Sequence, residues 1–442
     1  MNELFQKVHS TLPIFKIDNK NQVILYTPGN IMTLKNTVSS GLISMFENPE
    51  TIENSKTRNA IYEFSKRATE AVKTWEMQGK VPFSPECLTI HVGGECTLCC
   101  SYCYSKTLRT INKELVGFPK MNAIERLAHE LAKKAKENSG KLSLVYHGAG
   151  EPTFHWNQLL VCHERIIEIA RIYNIEVFSY IATNGCLSEA QIDWLARNIS
   201  LIGLSCDGPS EIQEKNRSFN DSSRLSIAQI CSRIIKKGGQ FDIRVTITPE
   251  TYFRQVEIVE YLIVECNAMN IRLEPVYLVG DNGFEENTAE LFFNHYISAQ
   301  QYAQKYSVNY SYSGVRMEEQ HSTYCDILRN NYRLTSDNCT RNCFCYVLDR
   351  TELITGRYYK KGKVYKPSAG LIKLKKKALR IPENCRSCVN IFHCSRGCPD
   401  FCIFDIVRTR IDNLNPFRCR FHQILVVEKI KTFVNEIGTT NL

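Results

Sequence analysis

The sequence predicts an α/β fold in which six parallel strands alternate with helices, preceded by a small α+β module and followed by a cysteine-rich segment. Three observations carry that expectation. Apolar runs suited to strands recur at residues 88–92, 142–146, 176–181, 202–205, 243–248 and 271–276. Segments of helical periodicity lie between them, at 123–136, 158–172, 188–197, 223–236 and 252–267; in the first of these Ile124, Leu127, Ala128, Leu131 and Ala135 share one face. Strict alternation of this kind gives a parallel sheet with right-handed crossovers. Finally, chemically capable residues gather just after the strands, where such sheets, curled or closed, place their sites.

Residues 1–85 read as the N-terminal module. Residues 14–18 and 22–27 form a hairpin around Asn19-Lys20-Asn21, closed by Pro28-Gly29, and residues 34–46 and 60–77 have helical periodicity. A strand-then-helix module of this size grips a peptide by strand addition or covers an edge of the next domain. The parallel unit occupies residues 86–320 and the cysteine-rich part residues 321–442. At 43% hydrophobic and 23% charged residues, the composition is that of a folded globule and excludes a disordered chain. There is no run of eighteen apolar residues, and the start lacks a secretory pattern. A reducing cytoplasm is therefore expected, where 20 cysteines are metal ligands rather than disulfides.

The first strand ends in His91-Val-Gly-Gly-Glu-Cys96-Thr-Leu-Cys99-Cys100-Ser-Tyr102-Cys103-Tyr104. Cys96, Cys100 and Cys103 offer three thiolates on one loop, one short of closing a 4Fe-4S cube, so one iron stays open for chemistry. A zinc knuckle on Cys96, Cys99 and Cys103 with a distant fourth ligand is the competing reading. The second strand leads into His147-Gly148-Ala149-Gly150-Glu151-Pro152, the third into Thr183-Asn184-Gly185, and the fourth into Ser205-Cys206-Asp207-Gly208, with Arg217 close behind. The glycines let backbone approach a ligand, and Glu151 suits an ammonium group. An acid for an amine, a base for a carboxylate and polar groups for a ribose fit a zwitterionic nucleoside such as S-adenosylmethionine.

On these motifs residues 88–280 resemble the radical S-adenosylmethionine (radical SAM) superfamily. The resemblance implies a partial parallel (β/α)6 barrel of that type. Cys96, Cys100 and Cys103 would hold the catalytic 4Fe-4S cluster, with Tyr102 beside it. Gly148, Ala149, Gly150 and Glu151 resemble the family's Gly-Gly-Glu-Pro motif, Ala149 replacing one glycine. Glu151 would take the methionine amine, Ser205 and Arg217 its carboxylate, and Asn184 and Asp207 the ribose neighbourhood.

The C-terminal cysteines follow a second pattern. Cys385, Cys388, Cys394 and Cys398 are spaced C-x2-C-x5-C-x3-C, with Cys325, Cys339, Cys343 and Cys345 before them and Cys402 and Cys419 after. That run resembles the SPASM domain, which carries auxiliary 4Fe-4S clusters in peptide-modifying radical enzymes. The resemblance implies one cluster on Cys385, Cys388, Cys394 and Cys419, and a second served by Cys398 with Cys339 and Cys345. The family's next cysteine falls on Lys361, so this second cluster recruits Cys325 or Cys343, keeps an open iron, or is missing. Three clusters would reduce the formal charge of +9 to roughly +4. With the basic stretch 357–380 read as solvated surface, neither nucleic acid nor membrane is an expected partner.

The function implied is reductive cleavage of S-adenosylmethionine to a 5'-deoxyadenosyl radical, followed by hydrogen abstraction from a ribosomally made precursor peptide and formation of a thioether, C–C or C–O crosslink. A flavodoxin or ferredoxin would supply electrons. The alternatives are peptide epimerisation, with Cys99, Cys206 or Cys402 as thiol donor, and an anaerobic sulfatase maturase making formylglycine. Against the latter, Lys360-Lys361-Gly362 offers no aspartate base where those enzymes place one. A closed-cage electron carrier or zinc scaffold is the non-enzymatic alternative.

Overall fold

The computed structural model describes residues 4–20, 22–35, 41–78, 84–103, 105, 117–218, 224–276, 283–320, 331–341, 354–357, 381–394 and 416–440. At the N-terminus, β1 (Gln6–Lys7), β2 (Phe15–Asn19), β3 (Gln22–Thr27) and β4 (Asn30–Lys35) form an antiparallel sheet in that order. Asn19 pairs with Gln22, and Thr27 with Asn30, so both hairpins close on two residues. Pro28 followed by Gly29 at φ 85° is the chemistry of a type II turn. Two helices follow, α1 (Leu42–Glu47) and α2 (Ser55–Gln78).

The helix expected over 34–46 is corrected here. The Pro28-Gly29 turn folds the chain back on β3, where Leu34 pairs with Val23, and the helix begins only at Leu42. Cross-strand pairing overrides the local helical pattern.

The N-terminal sheet is packed on both faces at β3. Val23 and Leu25 pack with Leu42, Phe46, Ile61 and Phe64 in a small core of their own. Phe15, Ile17, Ile24 and Tyr26, on the other face by the period-two rule, join the large core of the remaining chain. Trp75 of α2 stacks on Phe392 with ring centroids 4.9 Å apart, and the Tyr26 hydroxyl lies 2.7 Å from His393 Nε2.

The parallel unit then runs β5 (Cys87–Val92), α3 (Met121–Glu137), β6 (Lys141–Gly148), α4 (Trp156–Tyr173), β7 (Glu176–Thr183), α5 (Glu189–Asn198) and β8 (Leu201–Ser205). It continues through α6 (Ser210–Asn216), α7 (Ile227–Lys236), β9 (Phe241–Ile247), α8 (Gln255–Val264) and β10 (Asn270–Pro275). All six expected strands are present, neighbours in chain order and parallel. Ser188 with Gln191 and Ser226 with Gln229 form capping boxes that start α5 and α7.

The alternation continues past the six expected strands. A further helix, α9 (Ala289–Lys305), leads to β11 (Asn309–Tyr312), which lies parallel to β10. At the other edge β12 (Asn331–Leu334) lies parallel to β5, and β13 (Cys339–Arg341) and β14 (Ile354–Arg357) complete the sheet antiparallel. A long helix, α10 (Pro416–Thr440), closes the described chain. β11 escapes notice in sequence because Asn-Tyr-Ser-Tyr carries no aliphatic residue.

The two faces of the parallel sheet differ in chemistry. Leu142, Leu144 and Tyr146, with Ile243, Val245 and Ile247, point to the helices and the core. Between them His147 and Arg244 turn to the opposite face, as do His91, Asp242, Arg272 and Glu274 on their strands.

Candidate functional site

The cysteine loop leaves the C-terminal end of β5 and is held by its neighbours through backbone. The amide of Gly150 donates to the Val92 carbonyl at 3.2 Å, and that of Glu151 to the Glu95 carbonyl at 2.7 Å. A Cβ on Gly148 would stand 2.0 Å from the Val92 oxygen, and one on Gly150 2.4 Å from the Glu95 oxygen. Both positions therefore require glycine because backbone occupies the space of a side chain. From below, the amide of Ser101 donates to Asn216 O at 2.9 Å and that of Cys99 to Ser218 O at 3.3 Å.

On this frame Cys96, Cys100 and Cys103 are half-buried, whereas Cys99 is exposed. The Cys96 sulfur accepts from the Leu98 amide and the Asn184 side chain, each at 3.5 Å. Burial pushes the Cys100 thiol up to about 11; Arg217 pulls it back, and the charges of Cys103, Asp207 and Cys96 push it further. The three sulfurs thus share one electrostatic environment. Among the described residues, no three His, Cys, Asp or Glu side chains are grouped to ligate a single metal ion. A zinc knuckle on Cys96, Cys99 and Cys103 is poorly served by this geometry, since Cys99 faces solvent. Three half-buried sulfurs beside a buried cation suit a larger iron-sulfur group carrying negative charge.

Glu151 is 3% exposed. One carboxylate oxygen accepts from the Asn184 amide at 2.7 Å, the other from the Thr153 hydroxyl and amide at 2.8 and 3.2 Å. Burial raises this carboxyl above the usual range against the pull of those donors. Asn184, after β7, also donates to Thr97 Oγ1 at 3.1 Å, so its side chain reaches across to the cysteine loop. Ala149 lies between the two glycines that contact the loop, and Ser205 closes β8, half-buried.

Behind the loop lies a buried ionic pair. Asp207 has no exposed surface and Arg217 is 8% exposed; Arg217 Nε stands 3.2 Å from Asp207 Oδ2. The Tyr102 hydroxyl donates to the same carboxylate oxygen, and the Thr246 amide donates to the other at 3.0 Å. The guanidinium also lies over the Tyr102 ring, 5.4 Å from its centroid. Tyr102, Asp207 and Arg217 come from three separate segments and act as one unit.

Sequence reasoning missed the polar face of the sheet. His91 and His147 are register partners on β5 and β6. Burial lowers the His147 pKa well below the ordinary value, with Arg244, His91 and Arg333 adding to the effect, so these four groups converge. Arg333 on β12 is 2% exposed, and Arg244 lies over the Tyr180 ring. The alternation of polar and apolar residues along β6 and β9 was the available signal.

Residues 90–262 match the Radical SAM superfamily model. The chain carries a radical SAM domain. Over 200 residues it is 27% identical to a cysteine-type anaerobic sulfatase-maturating enzyme of Clostridium perfringens, covering 41% of this chain and 50% of that protein. The chain thus spans about half the length of the curated relatives it matches. A sulfatase-maturating enzyme of Clostridium novyi is 30% identical over 128 residues, covering 28% of this chain and 32% of its own. In fold, native anSMEcpe with bound AdoMet aligns with a TM-score of 0.61 at 19% identity, over 80% of this chain and 99% of that one.

Beyond the radical SAM domain, Cys385, Cys388 and Cys394 all lie within electrostatic reach of Cys419. Cys385 and Cys388 lie on one turn, with the Cys388 amide donating to Cys385 O at 3.1 Å. Burial raises the Cys419 thiol, and the charges of Cys394, Cys385 and Cys388 raise it further. Gln423 donates to the Cys388 sulfur at 3.7 Å. Cys339 opens β13, its amide donating to Asp337. Its expected partners Cys343, Cys345 and Cys398 lie outside the described residues, as do Tyr104, Cys325, Cys402, the region of Lys361 and most of the basic stretch 357–380. Cys206 is fully buried and hydrogen-bonded with Cys266, which in turn contacts Cys231. No helix among the described residues is long and apolar enough to cross a membrane.

Proposed function

We propose that this chain is a radical SAM enzyme that modifies a peptide or protein. The observation that carries the reading is the interlock of the cysteine loop with the Gly148–Glu151 turn. That contact fixes three thiolates beside a buried acid and a buried base. Cys96, Cys100 and Cys103 would hold the 4Fe-4S cluster. When bound, the cluster and S-adenosylmethionine supply a reductively generated 5'-deoxyadenosyl radical that takes a hydrogen from a substrate carbon.

The chain's own residues bind and orient. Gly148, Ala149 and Gly150 bring backbone within reach of the methionine end, and Glu151, fixed by Asn184 and Thr153, receives its ammonium group. Arg217 and Ser205 receive the carboxylate. Asp207, fully buried, acts through Arg217, holding the guanidinium together with Tyr102. Cys385, Cys388, Cys394 and Cys419 would hold an auxiliary cluster. Cys339, Cys343, Cys345 and Cys398 are candidate ligands for a second.

Crosslinking of a precursor peptide is the finer reading we favour. The N-terminal sheet ends in β4, whose outer edge has no strand partner among the described residues, and strand addition is a common way to hold a peptide. A cleft of about 630 Å³ also opens between β1, β2 and α1, lined by Lys16, Leu42, Ser44 and Glu47 among others. Formylglycine formation is the second reading, favoured by the curated relatives, which are cysteine-type sulfatase-maturating enzymes. Electrons would come from a flavodoxin or ferredoxin, and no nucleic-acid or membrane partner is proposed.

Anaerobically reconstituted protein with dithionite and S-adenosylmethionine should release 5'-deoxyadenosine. Replacing Cys96, Cys100 and Cys103 by alanine should abolish release, and Cys99→Ala should leave it largely intact; cleavage by the triple variant would sink the assignment. A precursor peptide from a neighbouring gene should emerge two hydrogens lighter and resistant to aldehyde reagents. A hydrazide-reactive product on a cysteine-containing sulfatase peptide would select the second reading instead.

A further inference from the structure

The start of α10 carries more than Cys419. Arg418, Tyr312 and His422 are 3%, 5% and 2% exposed, and they form one chain of hydrogen bonds ending on Cys394. Arg418 Nη1 donates to the Tyr312 hydroxyl oxygen at 2.9 Å. Tyr312 Oη stands 2.6 Å from His422 Nε2, and His422 Nδ1 stands 3.2 Å from Cys394 Sγ. Arg418 is anchored in turn by the Pro275 carbonyl and by the Glu274 carboxylate 3.9 Å away.

The direction of each bond follows from Cys394, on the reading that it is a cluster ligand. A ligating thiolate has no proton and only accepts, so the imidazole carries its hydrogen on Nδ1. In the neutral imidazole Nε2 is then a bare lone pair, and the tyrosine donates to it. The tyrosine oxygen is left to accept from the guanidinium. All donors point from the buried cation to the sulfur, and each bond polarises the next. A free Cys394 thiol would permit the opposite order, with S–H donating to Nδ1.

We infer that His422 is a positioning residue for the auxiliary cluster, its Nδ1–H bond to Cys394, backed by Tyr312 and Arg418, raising that cluster's reduction potential. A one-electron reduction places more negative charge on the ligand sulfurs, so a donor aimed at sulfur stabilises the reduced state more than the oxidised one. Burial of the whole chain away from water keeps that difference from being screened.

The test is potentiometric. Full-length protein with Cys96, Cys100 and Cys103 changed to alanine is reconstituted anaerobically and titrated by electron paramagnetic resonance, following the signal that Cys394→Ala removes. His422→Phe should shift its midpoint to lower potential, Tyr312→Phe should shift it the same way by less, and His422→Gln, whose amide can donate, should recover part of the loss. An unchanged midpoint in His422→Phe at parental iron content overturns the inference. Should His422→Phe lose iron, Tyr312→Phe decides, since it keeps the imidazole and every ligand; an unchanged midpoint there overturns it equally. If Cys394→Ala keeps full iron and every signal, the ligand reading itself fails, and the inference falls with it.

Discussion

Single residues set the tightest constraints. Gly148 is one, because any side chain there meets the Val92 carbonyl, part of a strand that cannot yield. Gly148→Ala should destabilise by about 1–3 kcal/mol through overpacking and should lower the iron retained at the cysteine loop, measured by thermal unfolding and iron per chain. His163 of α4 gives a pH signature. It is 4% exposed, its pKa is lowered to about 4 by burial, and Tyr146 Oη lies 3.2 Å from its Nδ1. A histidine whose folded pKa is depressed favours the folded state fully above its unfolded value of about 6.5 and penalises it as pH falls from there to 4. That single group should cost about 3 kcal/mol between those limits, and His163→Phe should flatten the corresponding part of a stability-against-pH curve. At this scale the sequence was most informative for Cys96, Cys100, Cys103 and the glycine turn, which are short-range patterns. Asp207 was legible as a polar residue after a strand, but its pairing with Arg217 and Tyr102 was not, because three loops must meet before it exists.

Elements explain what was read correctly and what was not. The helices between strands were visible because one apolar face repeats, and α5 and α7 also announce their starts by capping boxes. Ser226→Ala, which breaks the box at α7, should cost about 1 kcal/mol in denaturant unfolding without changing 5'-deoxyadenosine release. The end of β4, Leu34 and Lys35, falls within the stretch expected to be helical, and only the turn at Pro28-Gly29, which folds the chain back on β3, assigns it to the strand. β12 was beyond reach for a different reason: it lies beside β5, where Asn331 and Thr89 bond across a separation of 242 residues. No local pattern encodes such a neighbour. The polar face of the sheet was legible in the alternation along β6 and β9, but the convergence of His91, His147, Arg244 and Arg333 on it was not, because four separate strands must align first.

For the whole molecule, the large core runs without a break from the N-terminal sheet through the radical SAM domain to α10. Trp75 is the contact through which this continuity is best tested, since it is 4% exposed and stacks on Phe392, two residues before Cys394. Trp75→Ala should cost about 3–5 kcal/mol and should loosen the auxiliary site, read as lower iron per chain after desalting. Parental iron with an unchanged unfolding midpoint would mean that the two regions are energetically independent. The same continuity bears on any attempt to trim the protein. Cutting after the first 85 residues would strip water-shy surface from both fragments, leaving Phe15, Ile17, Ile24 and Tyr26 bare on one and their former neighbours bare on the other. The fragments would be sticky rather than autonomous, and a graft of this module onto another enzyme would need to carry its docking surface with it.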